Sequence, residues 1–220
     1  MKRIALFLGL SLLFSSCLEL KEQAHFNNDG SGSFQFVLDL GPIRDMLNLI
    51  AQFSGETTDD LKADMHDEFA SAIQEIESIS GISNVQGINN DKSFVYGLSF
   101  DFKDVNALNK ALAKTFDISE EKNAVFFEWH KNRLIRKDPL NVRREIEEEL
   151  EDSKDMVEGI DPSAFLSSLK YTTEYTFDKK VNKSSNDIAT FSLDRKTVKV
   201  EYYLMSREAE TQSIENEIGF

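Results

Sequence analysis

Residues 18–40 read LELKEQAHFNNDGSGSFQFVLDL, and this stretch sets the architecture expected of the chain. Leu18, Leu20, Ala24 and Phe26 alternate with Glu19, Lys21, Gln23 and His25. Past the polar segment Asn27-Asn28-Asp29-Gly30-Ser31-Gly32, Phe34, Phe36, Leu38 and Leu40 alternate with Gln35, Val37 and Asp39. Successive strand side chains point to opposite faces, so each run carries one apolar face. Two such runs joined by residues that tolerate positive φ predict a β-hairpin with one buried side. Strands buried on one face only favour antiparallel pairing.

Downstream the period lengthens to that of a helix. After Gly41-Pro42, Ile43, Met46, Leu47, Ile50 and Phe53 form one stripe. Beyond Ser54-Gly55, Leu61, Met65, Phe69, Ala72, Ile73 and Ile76 form a longer one. Strand signals return with Ile82, Val85 and Ile88, turn at Asn89-Asn90-Asp91, and continue through Phe94, Tyr96, Leu98, Phe100 and Phe102. Asp104 stands where an N-cap belongs, ahead of Val105, Leu108 and Leu112. Val125, Phe127 and Trp129 begin another hairpin that returns through Leu134-Ile135, followed by a charged helix over 140–157.

Three further runs alternate: Tyr171, Thr173, Tyr175 and Phe177; then Ala189, Phe191 and Leu193; then Val198, Val200, Tyr202 and Leu204. Strand pairs followed by helices predict an α+β fold, an antiparallel sheet of hairpins with helices packed on one face in two layers. The order hairpin then helix recurs over 18–80, 82–116 and 124–157, without side-chain similarity between the units. Residues 206–220 read as a polar C-terminal segment.

Upstream of the hairpin, Lys2 and Arg3 precede an apolar run from Ile4 to Phe14. That run is shorter than the roughly 20 residues needed to span a bilayer and suits the core of a signal peptide. Leu13-Phe14-Ser15-Ser16-Cys17 resembles the bacterial lipobox, with Phe14 where Leu is usual. The expectation is a signal peptide over 1–16, a mature domain over 17–205, and a diacylglycerol thioether on Cys17. Cys17 is the single cysteine, so no internal disulfide can form. One acyl chain binds a membrane marginally, whereas the two or three of a lipoprotein hold it firmly. The strand pattern starts immediately after Cys17, with no Ser/Gly tether, which places the domain close to the membrane.

The chain's formal charge is −14, and loss of Lys2 and Arg3 with the leader makes it −16. That balance repels phosphates, so no nucleic-acid partner is expected. The 17 phenylalanines suffice for a core. The Asn27–Gly32 loop fails as a calcium loop: with Gly30 sixth, Phe36 falls where a bidentate Glu is needed. Asp60, Asp64 and Asp67 share a helix face near Asp59, His66 and Glu68, an arrangement that could contact a divalent ion, but the face opposite an apolar stripe is ordinarily charged and solvated, and a solvated face is expected. Glu145–Asp152, with Arg143 and Arg144 ahead of it, suits an exposed helix held by i,i+4 pairs and is a candidate docking surface. His25, His66 and His130 share no motif, and HExxH, GxSxG, Walker A and GxGxxG patterns do not occur. No catalytic residue, metal site or cofactor is expected, and the protein is not expected to be an enzyme.

Two stretches carry a family resemblance. Phe26-Asn27-Asn28-Asp29-Gly30-Ser31-Gly32 after Cys17, and Tyr175–Val181 running on to Phe191–Val198, resemble bacterial lipoproteins common in the Bacteroidetes and loosely the LppM-type lipoprotein domain. The resemblance implies an α+β domain tethered to the outer membrane, and it brings no assigned active site. Leu18, in place of Asp, agrees with outer-membrane sorting by the enterobacterial rule. The expected role is a non-catalytic interaction or structural module with an envelope protein partner. The alternatives are a carrier of lipid or another hydrophobic ligand, in a cleft lined by Phe34, Phe69, Phe100 and Phe127, and more remotely a hydrolase.

Overall fold

A computed structural model describes residues 18–55, 57–116, 118, 124–140, 143–144, 169–204, 206 and 212–220. The leader, Cys17 and the acidic run Glu145–Asp152 lie outside the described residues. The hairpin forms as its alternation requires. β1 (Glu19–Phe26) pairs antiparallel with β2 (Gly32–Asp39), with Glu19 opposite Asp39 and Phe26 opposite Gly32. In the turn, the Asn27 N–H donates to the Ser31 carbonyl at 2.8 Å, and Gly30 takes φ +87°. The Trp129 indole lies so close to Gly30 that a Cβ there would meet its Cδ1 at 2.9 Å. Glycine supplies both the backbone angle and the room.

The large sheet runs β3-β4-β2-β1-β7-β10-β9. Its other strands are β3 (Ile82–Asn90), β4 (Val95–Phe102), β7 (Lys170–Phe177), β9 (Thr190–Phe191) and β10 (Thr197–Tyr203). A smaller sheet runs β5-β6-β11-β8, from β5 (Phe127–His130), β6 (Arg133–Arg136), β11 (Asn216–Gly219) and β8 (Lys183–Ser184). The α+β class and the antiparallel sheet covered by helices are those expected. One pairing is parallel: β1 lies beside β7, with Glu19 opposite Lys170 and Phe26 opposite Phe177. Alternation reports which side chains are buried and not the direction of the neighbouring strand, so this pair is invisible in the pattern.

Among the described residues, α1 (Arg44–Ser54) packs beside α2 (Thr58–Glu77), and α2 and α3 (Val105–Thr115) cover the sheet. Thr57 and Asp60 form a reciprocal capping box at the start of α2, and the Asp104 carboxylate accepts from the Ala107 N–H at 2.9 Å at the start of α3. α3 buries Val105, Leu108 and Leu112, and α2 turns Phe69, Ala72, Ile73 and Ile76 toward the same core. The core's centre is Phe26, whose ring lies 5.6 Å from those of Phe102, Phe127 and Phe177 and 5.7 Å from Trp129. The smaller sheet is tied to α3 by one side chain. Asn109 Oδ1 accepts from the Phe126 and Phe127 N–H groups at 3.0 and 2.9 Å, and its Nδ2 donates to the Phe127 carbonyl at 2.9 Å.

Some segments depart from the pattern. In β3 a bulge between Ser83 and Gln86, with Asn84 at φ +53°, resets the alternation, so that Ile82 and Val85 both pack against the core while Ile88, opposite Gly97, shares the outward face with Gln86. β9 covers only Thr190–Phe191, and Leu193 sits fully exposed in the following turn rather than in a strand. Residues 216–219, read as part of a polar segment, form β11 between β6 and β8. Ile214, Asn216 and Ile218 do alternate there, and all three are buried, but Asn216 in the middle interrupts the apolar signal.

Asn109→Ala strands two backbone donors and a carbonyl in a partly buried setting. Unmade hydrogen bonds of this kind cost about 1–3 kcal/mol each. Urea denaturation should therefore show a loss of about 2 kcal/mol or more, and Asn109→Asp, which keeps the acceptor, should lose less.

Candidate functional site

The large sheet has two unlike faces. One is covered by the helices and the smaller sheet. On the other, the registers align Gln86, Ser99, Gln35, Gln23, Glu174 and Lys199 in a single row across six strands. The adjacent row holds Asp101, Ser33, His25, Thr176 and Thr197. From Gln86 to Glu174 in the first row, and from Asp101 to Thr176 in the second, these residues line a cleft of about 560 Å³. Gln23 Nε2 donates to Glu174 Oε1 at 3.1 Å, and Lys21 Nζ lies 3.7 Å from Glu174 Oε2. At the edge of the cleft, Asn84 Nδ2 donates to Asp101 Oδ2 at 2.6 Å. The rows thus present amide, hydroxyl and carboxylate groups on a sheet, a surface suited to hydrogen bonding rather than to apolar capture.

Behind this face, between the two sheets, lies a buried charge pair. Glu22 on β1 and Arg136 on β6 are 0% and 2% exposed. Arg136 grips the carboxylate with a fork, Nε donating to Oε1 at 3.0 Å and Nη2 to Oε2 at 2.7 Å. The Tyr175 hydroxyl donates to Oε1 and the Tyr171 hydroxyl to Oε2, so four donors fill the carboxylate's acceptor sites. The guanidinium lies over the rings of Phe127 and Phe126, 5.0 and 5.6 Å from their centroids, and its Nη1 donates to the Lys137 carbonyl. Burial opposes the charge on Arg136, but Glu22 and the phenols outweigh it and hold the guanidinium protonated. Burial, and then the Glu22 carboxylate, push the Tyr171 and Tyr175 phenols well above their ordinary range. The cluster is enclosed and fully paired; it is a structural site. Alternation in the sequence marks Tyr171 and Tyr175 as inward-facing and puts Glu22 in step with Leu20, Ala24 and Phe26, but it does not show that Arg136 is the partner of Glu22.

The other sequence candidates stay apart. His25 Nε2 lies 3.3 Å from Asp178, His66 Nε2 2.8 Å from Asp91, and His130 Nε2 3.5 Å from Glu128. Asp60 is committed to its cap and Asp59 to Lys62 at 2.8 Å, so the acidic face of α2 does not converge. Asp29 accepts from the Ser31 N–H and hydroxyl at 3.0 and 2.7 Å, as a hairpin turn requires. Among the described residues no group of three or more His, Cys, Asp or Glu is placed to hold a metal ion. Phe34 and Phe100 stack on each other at 5.4 Å, Phe127 packs on Phe26, and Phe69 packs against the same cluster, so these four rings belong to the packed core.

Removing one partner of a buried ion pair leaves the other uncompensated. Arg136→Met should cost about 3–5 kcal/mol by urea denaturation, with much of that recovered in the double variant Glu22→Leu/Arg136→Met. The tyrosines give a pH dependence of known sign. An unfolded tyrosine loses its proton near pH 10 while the folded one keeps it, so this stability is complete below about pH 10 and is lost as pH rises above it. The urea midpoint should fall from about pH 10 upward, and fall less in Tyr171→Phe/Tyr175→Phe.

No family model and no curated protein matches the chain. Among solved structures the chain is loosely similar to the folded domain of the Mycobacterium tuberculosis protein LppM, determined by NMR, at 9% identity over 92% of this chain and 89% of that one, with a TM-score of 0.42.

Proposed function

We propose that the protein is a lipid-anchored envelope lipoprotein that works without catalysis, holding a polar partner on the open face of its large sheet. The supporting observation is the row Gln86, Ser99, Gln35, Gln23, Glu174 and Lys199, whose groups face outward on a sheet backed by a filled core. The leader pattern and Cys17 support the anchor, and Leu18 in place of Asp supports the outer membrane as its address. The stacked phenylalanines weigh against the carrier alternative.

Radioactive palmitate should label the wild type and not Cys17→Ala; labelling of the variant would overturn the anchor. A photo-crosslinking residue at Gln35 should capture a partner in intact envelopes, and the same residue at Leu193, in a turn away from this face, should not. Equal capture at both positions, or at neither, removes the face from the proposal.

A further inference from the structure

The charge of the chain is unevenly placed. β7 ends at Phe177 and β10 begins at Thr197, and these ends meet, with the Phe177 N–H donating to the Lys196 carbonyl at 2.9 Å. The Val181 N–H donates to the Arg195 carbonyl at 2.7 Å, so the segment after β7 lies against the turn Ser192–Arg195. Phe220 brings in the turn between β5 and β6. Its N–H donates to the Asn132 carbonyl at 3.0 Å, its ring lies 5.3 Å from that of Phe177, and Lys179 Nζ sits 5.3 Å from its centre. Three connections thus form one end of the domain.

Lys131, Lys179 and Lys180 are exposed at this end and Lys196 is half-buried; among the described residues none of the four has an ion-pair partner. The acidic groups nearby are occupied. Asp178 lies 3.3 Å from His25, and Glu217 is shared by Arg133 and Lys183 at 3.4 and 3.3 Å. Asp194 accepts from the Ser192 hydroxyl at 2.6 Å and the Lys196 N–H at 3.1 Å. Leu193, at the tip of the turn, is fully exposed. The turn around it is braced. The Arg195 N–H donates to the Ser192 carbonyl at 3.0 Å, and the Arg195 guanidinium lies 3.9 Å from the Phe191 ring centre and bonds the Val181 and Asn182 carbonyls at 3.2 Å. The backbone therefore holds the leucine out in water.

An apolar side chain held at a tip, on an end with unpaired lysines, meets both needs of contact with an anionic bilayer: a group that enters the interface and charges that meet the phosphates. An acidic polypeptide would use the lysines and leave Leu193 without a role. The chain's net charge of −14 does not cancel this. Charges are screened beyond about 8 Å at physiological salt, whereas the eight residues of β7 span roughly 26 Å. Carboxylates at the far end of the sheet therefore act little on this one. We propose that this end of the domain docks on an anionic lipid surface, with Leu193 in the head-group layer and Lys131, Lys179, Lys180 and Lys196 on the phosphates.

The test holds the full chain in nanodiscs of phosphatidylcholine, with an environment-sensitive fluorescent amino acid at position 193. The reference position is 92, in the turn between β3 and β4 at the other end of the sheet. Added vesicles of brominated phosphatidylcholine and phosphatidylglycerol should quench the label at 193 and not that at 92, less so as salt is raised. Lys179→Glu/Lys180→Glu should weaken co-sedimentation with these vesicles by at least about tenfold, and Leu193→Ser should weaken it too. Equal quenching by vesicles of phosphatidylcholine alone, or co-sedimentation unchanged by the lysine reversals, overturns the proposal. Co-sedimentation unchanged by Leu193→Ser overturns it as well, and displacement by polyglutamate then marks the partner as an acidic protein.

Discussion

The packing of the two sheets turns on the fork between Arg136 and Glu22. Neither sheet encloses a core alone; the smaller one has short strands and must rest on the larger. Placing a charge from each at the contact costs desolvation, which only full hydrogen bonding offsets. The two tyrosine hydroxyls and the paired guanidinium nitrogens supply it. Apolar side chains can slide past one another at modest cost, but a bidentate pair tolerates little displacement. The fork therefore fixes the position of β6 over β1 and β7.

That fixed contact explains the division of labour between faces. Aromatic rings fill the space around Phe26, leaving chemistry to the outward rows. Elsewhere on the same outward face charges are tied to neighbours, as Lys170 is to Glu19 at 3.1 Å and to Glu201 at 3.5 Å. A surface arranged in this way keeps its shape when a partner arrives, so little side-chain ordering remains to be lost on binding.

Much of the fold was legible because Phe26, Phe34, Phe100 and Tyr175 alternate with polar neighbours, and because Asp104 sits where a cap belongs. The parallel neighbour of β1 was not legible, since one-sided burial looks the same for either direction. β11 was hidden by Asn216, whose polar side chain occupies an inward position. The open face could be read residue by residue but not row by row, because alignment across strands depends on registers between distant segments. The pairing of Glu22 with Arg136 is hidden for the same reason: a buried charge is recognisable only beside its partner.

The parallel pairing bears on the order of assembly. β1 is the first strand among the described residues, yet Gln23 bonds to Glu174 across a separation of 151 residues. Contacts this distant in sequence close late, because the entropy of the intervening loop must be overcome before they form. The first hairpin can form early, but the centre of the sheet waits for β7 and β10. A chain emerging from its N-terminus thus stays open along the β1 edge until most of its length is free, and that edge is the place where a chaperone would be needed most.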